Sequence, residues 1–256
     1  MSRSVSRAPC GFLLPLLAGL LFGSVATAAP AGVNLSWDAC TSEGGVQSKT
    51  FACDTNSSTK TMWGSFVLAA DQNDFIGVEI TLDIQTQSDS LPNWWRFMNA
   101  GACRQNALSV NFLFDTDPGV DCVDPWSGQA TGGLGSYHTY WTTPQVPGGK
   151  ANTARIRIVA ALPSTQPMLL AAGTEYYCFK LTLSAARTVG TGSCGGCDVP
   201  ACILLSQIGT VRGDGTREDL TSPSSVNLLT WQSGEICSAA FVTPNVTWGQ
   251  IRSVLR

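Results

Sequence analysis

Charged residues are scarce in this sequence, at 13% of 256 residues, and lysine and arginine form no run anywhere. Proteins that bind nucleic acid usually present a basic surface that neutralises phosphate groups. Here the 15 basic and 18 acidic residues leave a formal net charge of −3. The composition therefore argues against nucleic acid as a partner.

Histidine is equally scarce, because His138 is the only one. A catalytic serine needs a histidine as base and a carboxylate to orient it, and no Gly-x-Ser-x-Gly motif lies near His138. We interpret His138 as a surface or packing residue in a glycine-rich loop. A pair of carboxylates that cleaves glycosidic bonds would leave no local signature, so a hydrolase stays open as an alternative.

Long apolar runs are absent except near the start of the chain, at residues 12–22. This run is too short for the roughly 20 residues that span a bilayer. Arg3 and Arg7 precede it, and Ala26-Thr27-Ala28 follows with the pattern of a signal cleavage site. We predict that residues 1–28 are a secretory signal, and that residues 29–256 form a secreted, cell-surface or periplasmic protein without a membrane span. Its formal charge would be 13 − 18 = −5.

Cysteine, in contrast, is abundant, and in an exported protein this abundance indicates disulfide bonds. Sequence proximity suggests the pairs Cys40 with Cys53 and Cys103 with Cys122. For Cys178 we expect a partner in the group near residue 200 or in Cys237. One cysteine is left over within the chain, so it stays free, pairs with another molecule or belongs to a different kind of site. The nine that follow the predicted cleavage site are Cys40, Cys53, Cys103, Cys122, Cys178, Cys194, Cys197, Cys202 and Cys237.

Apolar residues alternate with polar ones in several segments, which is the pattern of half-buried strands. The clearest segment runs from residue 76 to 85, where Ile80, Leu82 and Ile84 alternate with polar side chains. No interior segment has a helical period. We therefore predict an all-β, two-layer antiparallel sandwich in one domain, with strands at 76–85, 108–114, 156–162, 177–183, 33–37, 62–69, 202–208 and 226–231.

Two further regions are predicted to lie outside the strands. Residues 116–151 are rich in glycine and proline and predict a long loop excursion, and loops of this length are often functional. Trp248, Ile251 and Leu255 fall at roughly helical spacing, which predicts a short C-terminal helix or turn. Disulfides are expected to restrain the long loops.

The segment Cys194-Gly-Gly-Cys197 has the spacing of a metal-binding or redox-active motif. A zinc site normally adds a second close pair, and a thioredoxin-like site would begin a helix. Neither feature accompanies this segment. We therefore favour structural disulfides, with metal binding and redox catalysis as the alternatives.

Aspartates cluster after the predicted strand at 108–114, and several oxygen ligands from one loop suit calcium. The same residues lie beside Pro118 and Gly119, where aspartates commonly form side-chain turns. No other cofactor is indicated. The candidate calcium ligands are Asp115, Asp117, Asp121 and Asp124.

Aromatic residues offer a candidate binding face. Adjacent tryptophans in an extended segment point to opposite sides, so one of the Trp94 and Trp95 pair could be exposed. Exposed rings stack on sugars or anchor protein interfaces. The alternative is that these rings close the ends of the sandwich. The candidates for ligand binding are Trp94, Trp95, Trp126, Tyr137, Tyr140 and Trp141.

The chain resembles a group of exported bacterial cysteine-rich β proteins. The similar features are the segment Asn34-Leu35-Ser36-Trp37-Asp38-Ala39-Cys40, the segment Leu91-Pro92-Asn93-Trp94-Trp95, the cysteines of 194–202 and the ending at 247–252. This resemblance implies no activity. The strand pattern alone is also similar to cohesin-type and immunoglobulin-like sandwiches, and a fold does not give a function.

Our leading hypothesis is a secreted, non-catalytic sandwich that binds a glycan or an extracellular protein, or that serves as a structural surface component. The alternative is a secreted hydrolase that acts on polysaccharide or ester bonds. No catalytic residue is assigned.

Overall fold

The computed structural model describes residues 30–98, 101–114, 122–139 and 150–232. Within them the chain forms strands and two short 3-10 helices, at Thr41–Glu43 and Asn93–Trp95. The strands are β1 (Gly32–Trp37), β2 (Ser48–Lys49), β3 (Thr59–Val67), β4 (Gln72–Thr86), β5 (Leu108–Asn111), β6 (Thr131–Thr139), β7 (Thr153–Ala161), β8 (Met168–Leu170), β9 (Glu175–Ser184), β10 (Ala201–Arg212), β11 (Arg217–Leu220) and β12 (Leu228–Trp231).

These strands form a sheet of four, in the order β1-β3-β9-β5, and a sheet of eight, in the order β2-β12-β10-β4-β7-β6. In the larger sheet β11 also pairs with β10, and β8 pairs with β4. All pairs are antiparallel except β2 with β12. The prediction of an all-β sandwich with antiparallel sheets is confirmed.

The alternation in β4 determines which side of the larger sheet meets the core. Ile80, Leu82 and Ile84 are buried and belong to the apolar core. Glu79 and Asp83, at the intervening positions, point to the other side of the sheet. The strand predicted at 76–85 is therefore confirmed, and β4 continues beyond it at both ends.

Strand β6 corrects the prediction of a long loop at 116–151, because it lies inside that region. The sequence TGGLGSYHT hides it, since glycine has low strand propensity. The glycine at 132 is needed for close pairing with β7. A Cβ there would lie 2.2 Å from the carbonyl oxygen of Val159. The strand predicted at 108–114 is in turn shorter, since β5 ends at Asn111.

Strand β9 contains a β-bulge that the alternation of its sequence does not reveal. Gly64 pairs with Phe179 while Ser65 pairs with Tyr177, so Cys178 is the extra residue. The bulge places Tyr177 on the side opposite to Phe179, whereas an uninterrupted strand would put both on one side. The expected disulfide of Cys178 is also wrong. Cys178 is a buried free thiol, and burial raises its pKa.

The disulfides connect distant segments and contradict both pairs that proximity suggests. Cys40 bonds to Cys122 at a sequence separation of 82. The segment that contains Cys122 lies beside β9, where the backbone nitrogen of Tyr177 donates to the carbonyl of Val123. The other two disulfides join Cys53 to Cys197 and Cys103 to Cys194.

Both cysteines of the Cys194-Gly-Gly-Cys197 segment are therefore structural, as predicted. Cys202 is also disulfide-bonded, and Cys10 and Cys237 lie outside the described residues. Disulfides of this number are typical of proteins from an oxidising compartment. The predicted signal and the predicted C-terminal helix also lie outside the described residues.

Candidate binding face

The candidate aromatic face is corrected by the structure, because its described members are buried. Trp94, Trp95, Trp126 and Tyr137 are at most 4% exposed. Trp94 and Trp95 do not point to opposite sides, since they lie in a 3-10 helix rather than in an extended segment. A ligand could not reach these rings. Tyr140 and Trp141 lie outside the described residues.

Trp94 and Trp95 pack with Phe51 around Trp231 and close one end of the sandwich. The ring of Trp231 lies 4.3 Å from that of Phe51, 4.8 Å from that of Trp94 and 5.4 Å from that of Trp95, measured between centroids. The Nε1 of Trp231 donates a hydrogen bond to the carbonyl of Cys197 at 2.6 Å. This cluster agrees with the alternative interpretation, in which the aromatic residues close the ends of the sandwich.

Arg104 is a buried cation at the same end, and no sequence signal marks it. Its guanidinium carbon lies 3.6 Å from the centroid of the Trp94 ring. It donates hydrogen bonds to the carbonyls of Trp94 at 2.8 Å, Ala186 at 3.1 Å and Ser184. Burial lowers the pKa of Arg104 to about 9, so the group is charged at neutral pH. Because its donors are occupied by backbone carbonyls, Arg104 is suited to holding loops together.

Tyr137 and Trp126 are likewise fixed by hydrogen bonds inside the protein. The hydroxyl of Tyr137 donates to the carbonyl of Trp95 at 2.5 Å, and burial raises the pKa of Tyr137. The Nε1 of Trp126 donates to the carbonyl of Cys178 at 3.1 Å. Both side chains therefore serve packing.

The predicted calcium ligands fall mostly outside the described residues, where Asp115, Asp117 and Asp121 lie. Asp124 is described, and its Oδ1 accepts hydrogen bonds from the backbone nitrogens of Trp126 at 2.6 Å and Ser127 at 2.8 Å. This is the side-chain turn that the alternative interpretation expects. Among the described residues no three His, Cys, Asp or Glu side chains are grouped as for a metal. The calcium site stays a prediction.

His138 lies exposed on β6, on the solvent side of the larger sheet, and its cross-strand neighbour is Arg155. The carboxylate of Asp83 accepts two hydrogen bonds from Arg155, at 2.7 and 2.8 Å, and one from Ser206 at 2.5 Å. Strand β7 separates His138 from Asp83. These residues therefore do not form a serine–histidine–aspartate arrangement.

The solvent side of the larger sheet is the best candidate for a binding site. At its centre are β4, β7 and β10, flanked by β6 and β11. Val159 is 45% exposed although its strand lies inside the sheet. We call this side the outer face. It carries Glu79, Thr81, Asp83, Arg155, Arg157, Val159, Ala161, Gln207, Arg217 and Asp219.

Two adjoining depressions shape the outer face, and they share Glu79 and Val159. The first has a volume of about 220 Å³ and a mostly apolar lining, which includes Gly77, Ala161 and Val211. Gly77 contributes only backbone to this lining, because it has no side chain. The second has a volume of about 400 Å³ and a polar lining: Thr81, Arg157, Gln207, Arg217 and Asp219.

Most charges on the outer face are paired. Arg217 forms ion pairs with Glu79 and Asp219. Its side chain lies across Gly209, where a Cβ would be 2.1 Å from the Nε of Arg217. The glycine thus allows the guanidinium to lie flat on the sheet and reach both carboxylates. Arg157 differs, because it is exposed and has no ion-pair partner within the part of the chain that the structure describes.

No family model and no curated protein matches the chain. Two solved structures match the chain weakly. One is a cohesin module from a family 33 glycoside hydrolase of Clostridium perfringens, with a TM-score of 0.33 and 9% identity over 78% of this chain and 94% of that one. The other is the sixth cohesin of scaffoldin B from Acetivibrio cellulolyticus, solved in complex with a Cel5 dockerin. Its TM-score is 0.32, with 10% identity over 79% of this chain and 99% of that one.

None of the helices in the described residues is both long and apolar enough to cross a bilayer.

Sequence reasoning missed the outer face as a site. The polar positions of its strands marked the solvent side, and this was the available signal. Strand order decides which charges meet, and Glu79 meets Arg217 only because β10 pairs with both β4 and β11.

Proposed function

We propose that the protein is a secreted, non-catalytic β-sandwich that binds another extracellular protein through its outer face. The observation that supports this proposal is the combination of an exposed apolar centre at Val159 with a surrounding ring of charged and polar side chains. Protein interfaces commonly have this arrangement of an apolar centre and a polar rim.

The size of the outer face suits a protein partner. Strands lie about 4.8 Å apart and rise about 3.3 Å per residue. Five paired strands with about eight residues each therefore give a face about 20 Å across and 25 Å long. Standard interfaces bury on the order of 800 Å² on each partner. A partner that covered the outer face and its margins would reach that scale.

A glycan partner is less well supported than a protein partner. Sugar rings are commonly bound by stacking on exposed aromatic side chains. In the described ranges every Trp, Tyr and Phe side chain is buried.

The export part of the proposal rests on the predicted signal and on the disulfides. Reduced cysteines are the rule in the cytoplasm, whereas this fold joins its loops by disulfides such as Cys53–Cys197. A secreted, cell-surface or periplasmic location places the outer face in contact with other exported proteins.

The test is retention of exported proteins on the immobilised protein, using a matched pair of variants. Val159→Arg places a long cation at the centre of the outer face. Val123→Arg makes the same change at a valine that is 50% exposed on the edge of the smaller sheet, beside Tyr177. We expect the wild type and Val123→Arg to retain the same proteins. Val159→Arg should retain at least about tenfold less of them, because a central substitution disrupts packing across an interface.

Equal retention by Val159→Arg would count against the outer face as the site. Circular dichroism and the unfolding midpoint of both variants serve as the folding control. Both substitutions are at exposed positions, so neither is expected to change stability by more than about 0.5 kcal/mol.

A further inference from the structure

We infer that the outer face recognises a protein segment that carries a carboxylate close to an apolar side chain, and that Arg157 binds the carboxylate. This inference rests on the proposed function, and it adds the chemistry of the partner. Three observations carry it: the unpaired guanidinium, the polar groups beside it and the apolar depression next to both.

Arg157 is the cation on the outer face that is available to a ligand. Arg155 already makes two hydrogen bonds to Asp83, and Arg217 already pairs with Glu79 and Asp219. Arg157 has no such partner among the described residues and is exposed. A guanidinium presents its donors as a planar fork that matches a carboxylate, so an acidic side chain is the complementary group.

The neighbours of Arg157 across the sheet can complete a carboxylate site. Thr81 pairs with Arg157 on one side and with Gln207 on the other, so the three residues form one cross-strand row. All three line the larger depression. The hydroxyl of Thr81 and the amide of Gln207 are both able to donate hydrogen bonds. A carboxylate above this row would therefore meet donors from three strands.

The apolar depression lies further along the same strands. Val159 and Ala161 follow Arg157 at alternate positions of β7, so they point to the same side. Their distance from Arg157 along the strand is about 7 to 13 Å. Gly77 and Val211 complete the apolar lining. One peptide segment can span that distance with an acidic and an aliphatic side chain, whereas a uronic acid carries no aliphatic side chain to fill the depression.

The experiment is selection of phage-displayed random peptides on the immobilised full-length protein, followed by fluorescence polarisation with the selected peptides. Three variants accompany the wild type: Arg157→Gln, Val159→Arg and Arg187→Gln. Arg187 is an exposed arginine outside the outer face and serves as the matched control. Its Nη1 donates to the carbonyl of Cys103 at 2.7 Å, so the unfolding midpoint of each variant is measured in parallel.

We expect the selected peptides to share an Asp or Glu near a Leu, Ile or Val. Their affinity should fall about tenfold or more for Arg157→Gln, because a charge-assisted bidentate contact is lost, and should be unchanged for Arg187→Gln. Peptides that lose affinity for Val159→Arg but not for Arg157→Gln would overturn this inference and leave the proposed function intact. Peptides whose affinity changes for neither variant, or a selection that yields no peptide, would contradict this inference and the proposed function alike.

Acidic oligosaccharides are measured in the same assay as competitors. Failure to displace the peptides is the result expected. Displacement at similar concentrations, with the same dependence on Arg157, would overturn the inference in favour of a glycan.

Discussion

Replacing Trp231 with alanine is expected to lower the free energy of unfolding by about 3–5 kcal/mol, the range measured for large-to-small changes in protein cores. Trp231 is fully buried and contacts Trp37, Phe51, Trp94 and Trp95. Its removal would leave a cavity between the two sheets. It would also remove one of the two hydrogen bonds that the carbonyl of Cys197 accepts, leaving the one from the Nε2 of Gln232 at 3.2 Å. Urea unfolding followed by circular dichroism measures the loss without depending on tryptophan fluorescence.

Trp231→Phe is the matched control for this experiment. It keeps an aromatic ring in the cluster and loses the hydrogen bond to the carbonyl of Cys197, so we expect a loss of about 1–2 kcal/mol. Equal and small losses for the two variants would show that the aromatic cluster is not the packed centre of this end of the sandwich.

Removal of the Cys53–Cys197 disulfide by a double serine substitution is expected to lower the free energy of unfolding by about 4 kcal/mol. The two cysteines are separated by 144 residues in the sequence. The Cys40–Cys122 and Cys103–Cys194 disulfides, however, shorten the loop that opens to roughly 35 residues, for which the chain-entropy relation gives this value. Guanidinium unfolding under non-reducing conditions measures the change.

Cys178→Ala provides the control for cysteine substitution, because it removes a buried thiol without opening a cross-link. We expect its effect to be about 1 kcal/mol. A double variant that unfolds at the same denaturant concentration as Cys178→Ala would contradict the role assigned to the Cys53–Cys197 disulfide.

The sequence was sufficient to predict the fold class because the strand signal is local. In β4 the alternation of Ile80, Leu82 and Ile84 with polar residues needs only the period of two along one strand. Strand β6 lacked this signal, since its glycines suppress strand propensity, and the close approach to β7 requires the one at 132. The same local view could not detect the bulge at Cys178, which becomes visible only in the pairing of β9 with β3.

Long-range contacts were beyond the reach of sequence patterns. Cys53 meets Cys197, and Arg104 meets Trp94, because loops at one end of two sheets converge. The adjacent Trp94 and Trp95 suggested exposure of one ring, but a 3-10 helix turned both inward.

The same limit applies to the outer face, whose residues come from separate strands. Thr81, Arg157 and Gln207 are distant in the chain and form one row only through the order β10-β4-β7. The sequence indicated a solvent side for each strand. It did not indicate which charges would be paired there and which would be left for a ligand.

The most direct test of the central claim is arginine footprinting of the complex with a protein retained on the wild type. Phenylglyoxal modifies accessible guanidinium groups, and mass spectrometry gives the rate at each position. We expect modification of Arg157 to slow at least about fivefold in the complex, because the centre of an interface excludes solvent. Arg187, outside the outer face, should react at an unchanged rate. An unchanged rate at Arg157 in a saturated complex would contradict binding through the outer face.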